Sequence, residues 1–173
     1  AESEPLVAQG ESPIKSIIFS EFTSHLDLIE RALTDHGYTF VRIDGSMSLP
    51  RRRNVLDLLS NDDNTTILLA STQAAGQGLN LTAASRAFIM EPMWNPQAEA
   101  QAVDRIYRIG QKRNVVIKRY RMKDSIEDKI VALQDRKKKL AEMSMEKSVM
   151  QKALSRKERN EQSLKTMIEI FKS

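Results

Sequence analysis

Short apolar runs alternate with amphipathic segments along the chain up to residue 122. The runs are rich in Val, Ile and other strand-forming residues, which is typical of strands buried on both faces of a sheet. Turn-forming residues such as Gly, Asn, Asp and Ser lie between them. The pattern predicts strands at 15–20, 38–43, 65–71, 86–92 and 115–122.

Segments between these strands have helical periodicity. After the first strand, Leu26, Ile29 and Leu33 recur at the spacing of one helix face, and Gly37 ends the segment. A second helix is predicted to begin at Ser48, because a proline follows in its first turn.

A third helix is predicted from about Asn95 to Ile109. Asn95 is the expected N-cap, and Pro96 occupies the first helical position, where a missing N–H costs nothing. The segment of small residues between the third and fourth strands, TQAAGQGLNLTAAS, is predicted to be a loop.

Strands separated by helices predict an α/β fold, a three-layer domain with a mainly parallel sheet whose ligand-binding loops leave the carboxyl ends of the strands. After residue 122 the pattern is helical only, and Asp124 with Glu127 resembles a capping box. We therefore expect a flexible lead-in at 1–13, the α/β domain at 14–122, one helix at 123–143 and a helical tail at 144–173.

Composition narrows the class of protein. A hydrophobic content of 40% supports a folded core. There is no apolar run near 18 residues and no basic leader before a hydrophobic segment, so we expect a soluble, intracellular protein without a membrane partner. Without cysteines and with only two histidines, His25 and His36, the sequence predicts no protein-bound metal, and neither histidine is assigned a role.

Charge is distributed unevenly along the chain. Residues 1–100 contain 7 Lys and Arg against 13 Asp and Glu, a net charge of −6, whereas residues 101–173 contain 20 against 10, a net charge of +10. The second part is where a polyanion would bind, although a solvated basic helix would have the same composition.

The segment 101–113, QAVDRIYRIGQKR, combines the basic charge with helical spacing. Gln101, Arg105 and Arg108 lie at positions i, i+4 and i+7 of the predicted third helix and would share one face. Because an arginine is costly to bury without an anion, the pair Arg105 and Arg108 indicates either surface ion pairs or a bound anion.

Several motifs together resemble the SWI/SNF-type ATPases, the chromatin-remodelling branch of the superfamily-2 helicases. They are, in chain order, IIFSEFTSHLDLIERAL, YTFVRIDGSMSLPRRRNVLDLLSND, ILLASTQAAGQGLNLTAAS, EPMWNP and QAVDRIYRIGQKRNVVIKR. The resemblance covers roughly residues 14–140 and includes DSIEDKIVALQDRKKKLA, which is similar to the helix that braces the two lobes in this family. It implies a RecA-like domain with a helical extension.

The resemblance implies a motor of two RecA-like lobes that bind ATP with Mg²⁺ between them and move along double-stranded DNA. This chain contains neither G-x-x-x-x-G-K-[ST] nor a DExH-like acidic motif, so the phosphate-binding loop and the magnesium ligands are missing. We therefore expect the second lobe alone, inactive by itself, with ATP and Mg²⁺ bound mainly by an N-terminal lobe of the same polypeptide.

Roles for the arginine segment follow from the resemblance. Arg108 is the expected arginine finger, Arg105 its partner near the phosphates, and Gln101 an organiser of the interface between the lobes. Planar guanidinium groups stabilise the charge that develops on a transferred phosphoryl group, so an arginine from a second lobe would make hydrolysis depend on closure.

The loop GQGLNL contains the expected nucleotide-facing residues Gly76, Gly78 and Asn80. Both glycines permit positive φ and close approach of backbone N–H groups to an anion, although a tight turn alone would have the same sequence. The chain departs from the family pattern at Ala75, where a second glycine is usual, and at Gln73, where a basic residue is common.

Contacts to DNA are also implied by the resemblance, and none of them would read bases. The residues expected to contact the DNA backbone or groove are Ser20, Thr23, Arg42, Gly45, Ser71, Thr72 and Trp94. Binding should therefore be independent of sequence and sensitive to salt. The run of three arginines at 51–53 is compatible either with phosphate contacts or with a solvated helix face.

The sequence thus predicts the second lobe of a DNA-dependent ATPase that translocates on double-stranded DNA in chromatin remodelling or DNA repair. Expected partners are the N-terminal lobe of the same polypeptide, double-stranded DNA and nucleosomes or other chromatin proteins. The expected location is the nucleus. The basic helical end favours the branch of the helicase-like transcription factor, the postreplication-repair ubiquitin ligases and the transcription-terminating ATPase. The alternatives are a strand-separating helicase lobe and a non-enzymatic DNA-binding or partner-docking platform.

Overall fold

A single parallel sheet organises the part of the chain up to Met122. The computed structural model describes residues 12–76 and 78–147. Its strands are β1 (Ser16–Ser20), β2 (Phe40–Ile43), β3 (Ile67–Ser71), β4 (Arg86–Ile89) and β5 (Val116–Arg119). They are ordered β2-β3-β1-β4-β5, and every neighbouring pair is parallel. The predicted α/β fold with a parallel sheet is confirmed, although all five strands are shorter than predicted.

Helices connect the strands as the periodicity predicted. They are α1 (Thr23–Asp35), α2 (Leu49–Asn61), α3 (Thr72–Ala75), α4 (Pro96–Asp104) and, after the sheet, α5 (Ile126–Lys147). The short helix α3 corrects the prediction of a loop over the whole segment after β3. It forms because Ser71 Oγ accepts a hydrogen bond from the N–H of Ala74, which caps one helical turn.

The core lies on the central strands. Ile17 and Phe19 of β1, together with Leu68 and Ala70 of β3, are completely buried. Apolar side chains from the connecting helices complete the same cluster, among them the buried Leu59 of α2. The central position of β1, between β3 and β4, explains why its run IIF is apolar on both faces.

Helix α4 ends earlier than predicted, at Asp104 instead of Ile109. Tertiary hydrogen bonds compete for the carbonyls that a longer helix would use: the N–H of Leu81 donates to Arg105 O, and Gln111 Nε2 donates to Ile106 O. Asn95 caps the helix start through Oδ1, which accepts from the Gln97 N–H, as predicted. The expectation that Arg108 lies on this helix is therefore wrong.

A second compact unit begins at Lys123 and contains α5. Ser125, and not Asp124, caps this helix: Ser125 Oγ accepts from the Glu127 N–H, while Asp128 reaches back to the N–H of Asp124. Asp124 has a φ of 59°, a left-handed value, whereas the residue that caps the start of a helix is usually extended.

Helix α5 runs without interruption through residue 143, where the sequence predicted a boundary between two helical segments. Most of the predicted tail, 148–173, and most of the lead-in, 1–11, lie outside the described residues. In the described part of the chain, no helix is both long and apolar enough to cross a membrane.

Candidate functional site

The carboxyl ends of β1 and β3 bring two predicted site residues side by side. Ser20 and Ser71 are partners in the register of these strands, and both are buried. Ser20 Oγ accepts from the N–H of Phe22 at 3.1 Å, and Ser71 Oγ caps α3. Because both hydroxyls are bonded to the chain's own backbone, they shape the edge of the sheet instead of presenting a donor at the surface.

The predicted nucleotide loop and the predicted catalytic segment contact each other. A β-carbon built on Gly76 would lie 3.7 Å from Oε1 of Gln101, so α3 and α4 pack closely at this point. The N–H of Leu81 donates to the carbonyl oxygen of Arg105 at 3.1 Å. Gln101, Arg105 and the loop after β3 therefore belong to one contiguous surface.

Of the two glycines expected to allow a positive φ in this loop, only Gly78 adopts one. Gly76 has a φ of −61°, an ordinary helical value, so its lack of a side chain does not serve a left-handed backbone. Gly78 has a φ of +78°, which favours glycine. Asn80 Oδ1 accepts from both the N–H and the hydroxyl of Thr82, which fixes the turn after Gly78.

Neither arginine of the pair has an anionic partner in the described part of the chain. Arg105 is partly buried, and its Nε is inaccessible to solvent and lacks a hydrogen-bond acceptor. Arg108 is exposed in the turn that follows α4. A buried guanidinium N–H without an acceptor is destabilising, so Arg105 Nε is held in this position at a cost to the free energy of folding.

Gln111 organises the turn that carries Arg108. Its Nε2 lies within hydrogen-bonding distance of three carbonyl oxygens, those of Ala84 at 2.8 Å, Thr82 at 3.2 Å and Ile106 at 3.4 Å. One side chain thus joins the loop before β4 to the segment after α4. Gln111 was assigned no role from the sequence, since two of its partners, Thr82 and Ala84, lie 29 and 27 residues away.

Arg42, which was predicted to contact DNA, is surrounded by carboxylates. Its Nη1 donates to Asp27 at 2.5 Å and to Glu30 at 2.8 Å, and its Nε donates to Asp44 at 3.1 Å. Burial alone would lower the pKa of Arg42, but the hydrogen bonds to Asp27 and Glu30 outweigh it and raise the pKa above its usual value. A phosphate at Arg42 would have to displace these carboxylates.

The turn after Arg42 is held by Asp44. Asp44 Oδ1 accepts from the hydroxyl of Ser46 at 2.5 Å and from its N–H at 3.0 Å. The pKa of Asp44 is lowered, first by the hydroxyl of Ser46 and then by its N–H and the charge of Arg42, against the opposing effect of burial. Gly45 is exposed at the tip of this turn.

Glu91 was not singled out from the sequence, and His25 was assigned no role. Glu91 follows β4 and is only 7% exposed. Its Oε1 accepts from the N–H of Glu21, and its Oε2 lies 3.1 Å from His25 Nδ1. An acidic residue after an apolar strand, at the edge where ligands bind, was the sequence signal that could have identified Glu91.

The remaining predicted DNA contacts lie along the same edge of the sheet but not in one cluster. Thr23 is exposed at the start of α1, Thr72 is buried at the start of α3, and Trp94 is partly buried in the loop after β4. The strand order separates Arg42 on β2 from β4 by three strand intervals, roughly 14 Å. The predicted contact residues are therefore spread across several strands at this edge of the sheet.

Among residues 12–76 and 78–147, no group of three or more His, Asp or Glu side chains is placed to hold a metal ion.

The chain is similar to known proteins over most of its length. The family described as helicase conserved C-terminal domain matches residues 4–110. The chain is 45% identical over 137 residues to DNA repair protein RAD5A of Arabidopsis thaliana and 45% identical over 130 residues to the helicase-like transcription factor of Homo sapiens. These matches cover 79% and 74% of the chain and 13% of each relative, so the chain spans a small part of their length.

A solved structure agrees with these relatives. The crystal structure of the C-terminal part of the Fun30 ATPase domain matches with a TM-score of 0.68 and 40% identity, over 69% of this chain and 38% of that one. The predicted RecA-like fold and the predicted family are confirmed. The chain belongs to the helicase conserved C-terminal domain family, as a C-terminal lobe of the SWI/SNF type.

Proposed function

We propose that the chain is the second motor lobe of an ATP-dependent translocase on double-stranded DNA, acting in DNA repair or chromatin remodelling. The observation that carries this proposal is that neither Arg105 nor Arg108 has an anionic partner in the described chain, while the segment they belong to contacts the glycine-containing loop: Gln101 packs against Gly76, and the Leu81 N–H donates to Arg105 O. Guanidinium groups left unpaired next to a glycine-containing loop suit the phosphates of a nucleotide.

The nucleotide is ATP with Mg²⁺, bound mainly by an N-terminal RecA-like lobe of the same polypeptide. ATP supplies the phosphoryl group whose transfer to water drives movement. Arg108, exposed in its turn, reaches the phosphates as the arginine finger, and Arg105 supports it from a partly buried position. Gln101 and Gly76 form the adjoining wall, while Gly78 and Asn80 shape the loop.

Because the family's phosphate-binding loop is not in this sequence, this lobe alone hydrolyses no ATP. Closure of the two lobes adds the arginines to the nucleotide and makes hydrolysis depend on the relative position of the lobes.

The DNA backbone runs along the carboxyl edge of the sheet. Thr23, Gly45 and Trp94 contact it from successive loops, and Thr72 lies between them. Ser20 and Ser71 fix the loops through their internal hydrogen bonds. Arg42 binds a DNA phosphate only if the phosphate displaces its carboxylate partners. The surface groove that Arg42 lines is acidic on balance, with three carboxylates (Asp27, Glu30 and Asp35) and two arginines (Arg31 and Arg42).

The biological setting follows the relatives, whose names describe a DNA repair protein and a helicase-like transcription factor. A nuclear location and chromatin proteins as partners are part of the same proposal. The helix α5 acts as the brace between the lobes.

The test uses the protein with both lobes and measures ATP hydrolysis with and without double-stranded DNA. Arg108→Ala should lower the stimulated rate by about a thousandfold or more while DNA binding persists. Arg31→Ala, at an exposed arginine of α1, is the matched control and should leave the rate within about twofold.

Equal rates for wild type and Arg108→Ala would contradict the mechanism and favour a DNA-binding or docking platform. Separated strands from a forked duplex would favour a strand-separating helicase. DNA affinity followed across salt should fall steeply with ionic strength and should not depend on sequence.

A further inference from the structure

The buried carboxylate of Glu91 connects the two segments that follow β1 and β4 at the carboxyl ends of these strands. The backbone pairing of these strands continues one residue past the end of β4, because the N–H of Met90 donates to Phe19 O at 3.1 Å. Glu91 is the next residue, and its Oε1 accepts from the N–H of Glu21, the first residue after β1. The carboxylate thus lies where the two chains leave the sheet.

The second oxygen of Glu91 reaches helix α1. Oε2 lies 3.1 Å from His25 Nδ1, and because a carboxylate only accepts hydrogen bonds, Nδ1 carries the hydrogen. Ser20 Oγ lies 3.5 Å from the same nitrogen. The start of α1, the β1–α1 loop and the β4–α4 loop are therefore linked through one side chain.

Glu91 is only 7% exposed, so its carboxylate loses most of its hydration when the chain folds, which is unfavourable. The charge-assisted hydrogen bonds of both carboxylate oxygens offset this desolvation cost. Met93, two residues after Glu91, is 1% exposed and anchors the β4–α4 loop in the core. Glu91 thus connects the anchored β4–α4 loop, which carries Trp94, to the start of α1, which carries Thr23.

We propose that Glu91 is a positioning residue that, together with His25, holds the start of α1, which carries Thr23, and the β4–α4 loop, which carries Trp94, in one fixed arrangement for binding the DNA backbone. The inference rests on the proposed function. Glu91 does not touch DNA itself. Its hydrogen bonds prevent the start of α1 and the β4–α4 loop from moving independently, so DNA binding does not have to order these two segments first.

The variants are chosen to separate positioning from stability. Glu91→Leu removes both acceptors. Glu91→Gln keeps one oxygen for the Glu21 N–H, and its amide can donate to His25 Nδ1 once the neutral ring carries its hydrogen on Nε2. Lys15→Met is the matched control, because it removes buried hydrogen bonds at the opposite end of β1, away from both loops.

The experiment uses the protein with both lobes and measures the DNA concentration that gives half-maximal ATPase stimulation, the KM for ATP, the Tm and hydrogen exchange of a peptide covering 20–26. Glu91→Leu should raise the half-maximal DNA concentration about tenfold, with the KM for ATP within about twofold, and should speed exchange in this peptide. Glu91→Gln should stay within about threefold of wild type in DNA concentration.

If Glu91→Leu behaves like Lys15→Met, with a lower Tm but an unchanged DNA requirement, the positioning role is wrong while the proposed function stands. If Glu91→Gln is as impaired as Glu91→Leu, the hydrogen-bonding account is wrong. If the wild type does not respond to double-stranded DNA, the proposed function fails, and this inference fails with it.

Discussion

Gly76 packs against Gln101, with a distance of 3.7 Å between an ideal β-carbon on Gly76 and Oε1 of Gln101. Contacts of this length are ordinary van der Waals contacts, as are those to the carbonyl oxygens of Gln73 at 3.6 Å and Thr72 at 3.7 Å. The relationship joins the loop after β3 to α4, two segments that are 25 residues apart in sequence.

The two glycines of this loop should therefore differ in their tolerance of alanine. Gly76→Ala should change the free energy of unfolding by less than about 0.5 kcal/mol, because its φ is helical and the space is sufficient. Gly78→Ala should lower it by about 1 kcal/mol, because its φ is +78°. Urea unfolding of the two variants checks this, and equal losses would contradict the backbone argument.

Replacing Arg105 should raise the stability of the fold but lower ATP hydrolysis. Arg105→Met removes a buried N–H that has no acceptor and keeps the aliphatic volume, so it should raise the free energy of unfolding by about 1 kcal/mol. In the protein with both lobes, the same variant should lower DNA-stimulated ATP hydrolysis by about a hundredfold or more. Thermal unfolding and ATPase rates provide the two measurements.

Arg108→Met is the control for this prediction. Arg108 is exposed, so its replacement should leave the free energy of unfolding within about 0.5 kcal/mol while ATP hydrolysis falls. Loss of stability in Arg105→Met would show that its guanidinium has a partner within the chain.

Asp44 should make stability depend on pH in the acid range. Its pKa is lowered in the folded chain, so its contribution is present above the ordinary aspartate pKa of about 3.9 and is lost as the pH falls through the lower folded value. Asp44→Asn should be less stable than wild type at pH 6, and the difference should shrink below about pH 4.

Urea unfolding at a series of pH values measures this difference. Asp57→Asn, at an exposed carboxylate on α2, removes a charge without removing one of the hydrogen bonds at the Asp44 turn. A constant difference between Asp44→Asn and wild type from pH 6 to pH 2 would contradict the prediction.

Lys15 should contribute to stability as a cap for α2. It is 4% exposed, and its Nζ donates to the carbonyl oxygens of Leu59 and, at 3.0 Å, Asp62 at the end of that helix. Lys15→Met should lower the free energy of unfolding by about 1–3 kcal/mol, because these carbonyls lose a charged donor. Lys15→Arg, which keeps a donor, should lose less, and an unchanged stability in Lys15→Met would contradict the role.

The sequence alone determined the elements of the sheet and their class. The apolar run at Ile17 and Ile18 predicted a buried strand, and the cap Asn95 before Pro96 marked the start of a helix, because these signals come from neighbouring residues. The order of motifs also predicted the family. Local patterns are sufficient for such features, since a strand period or a helix cap depends on a few successive positions.

Only the tertiary structure decided where the chain departs from its local preferences. Helix α4 stops at Asp104 because Leu81 and Gln111 donate to the carbonyls of Arg105 and Ile106. These donors are distant in sequence from the helix or lie beyond its end, so the helical spacing of the motif could not reveal them.

Contacts between segments distant in sequence also determine the surroundings of the charged residues in the candidate site. Its residue types were visible in the sequence, but the surroundings of each charge were not. Arg42 meets Asp27 and Glu30 from another element, Arg105 lacks an acceptor for its Nε, and Glu91 bonds two segments about 70 residues away. The partner of a buried charge is set by how elements pack, because burial and pairing arise only when distant segments meet.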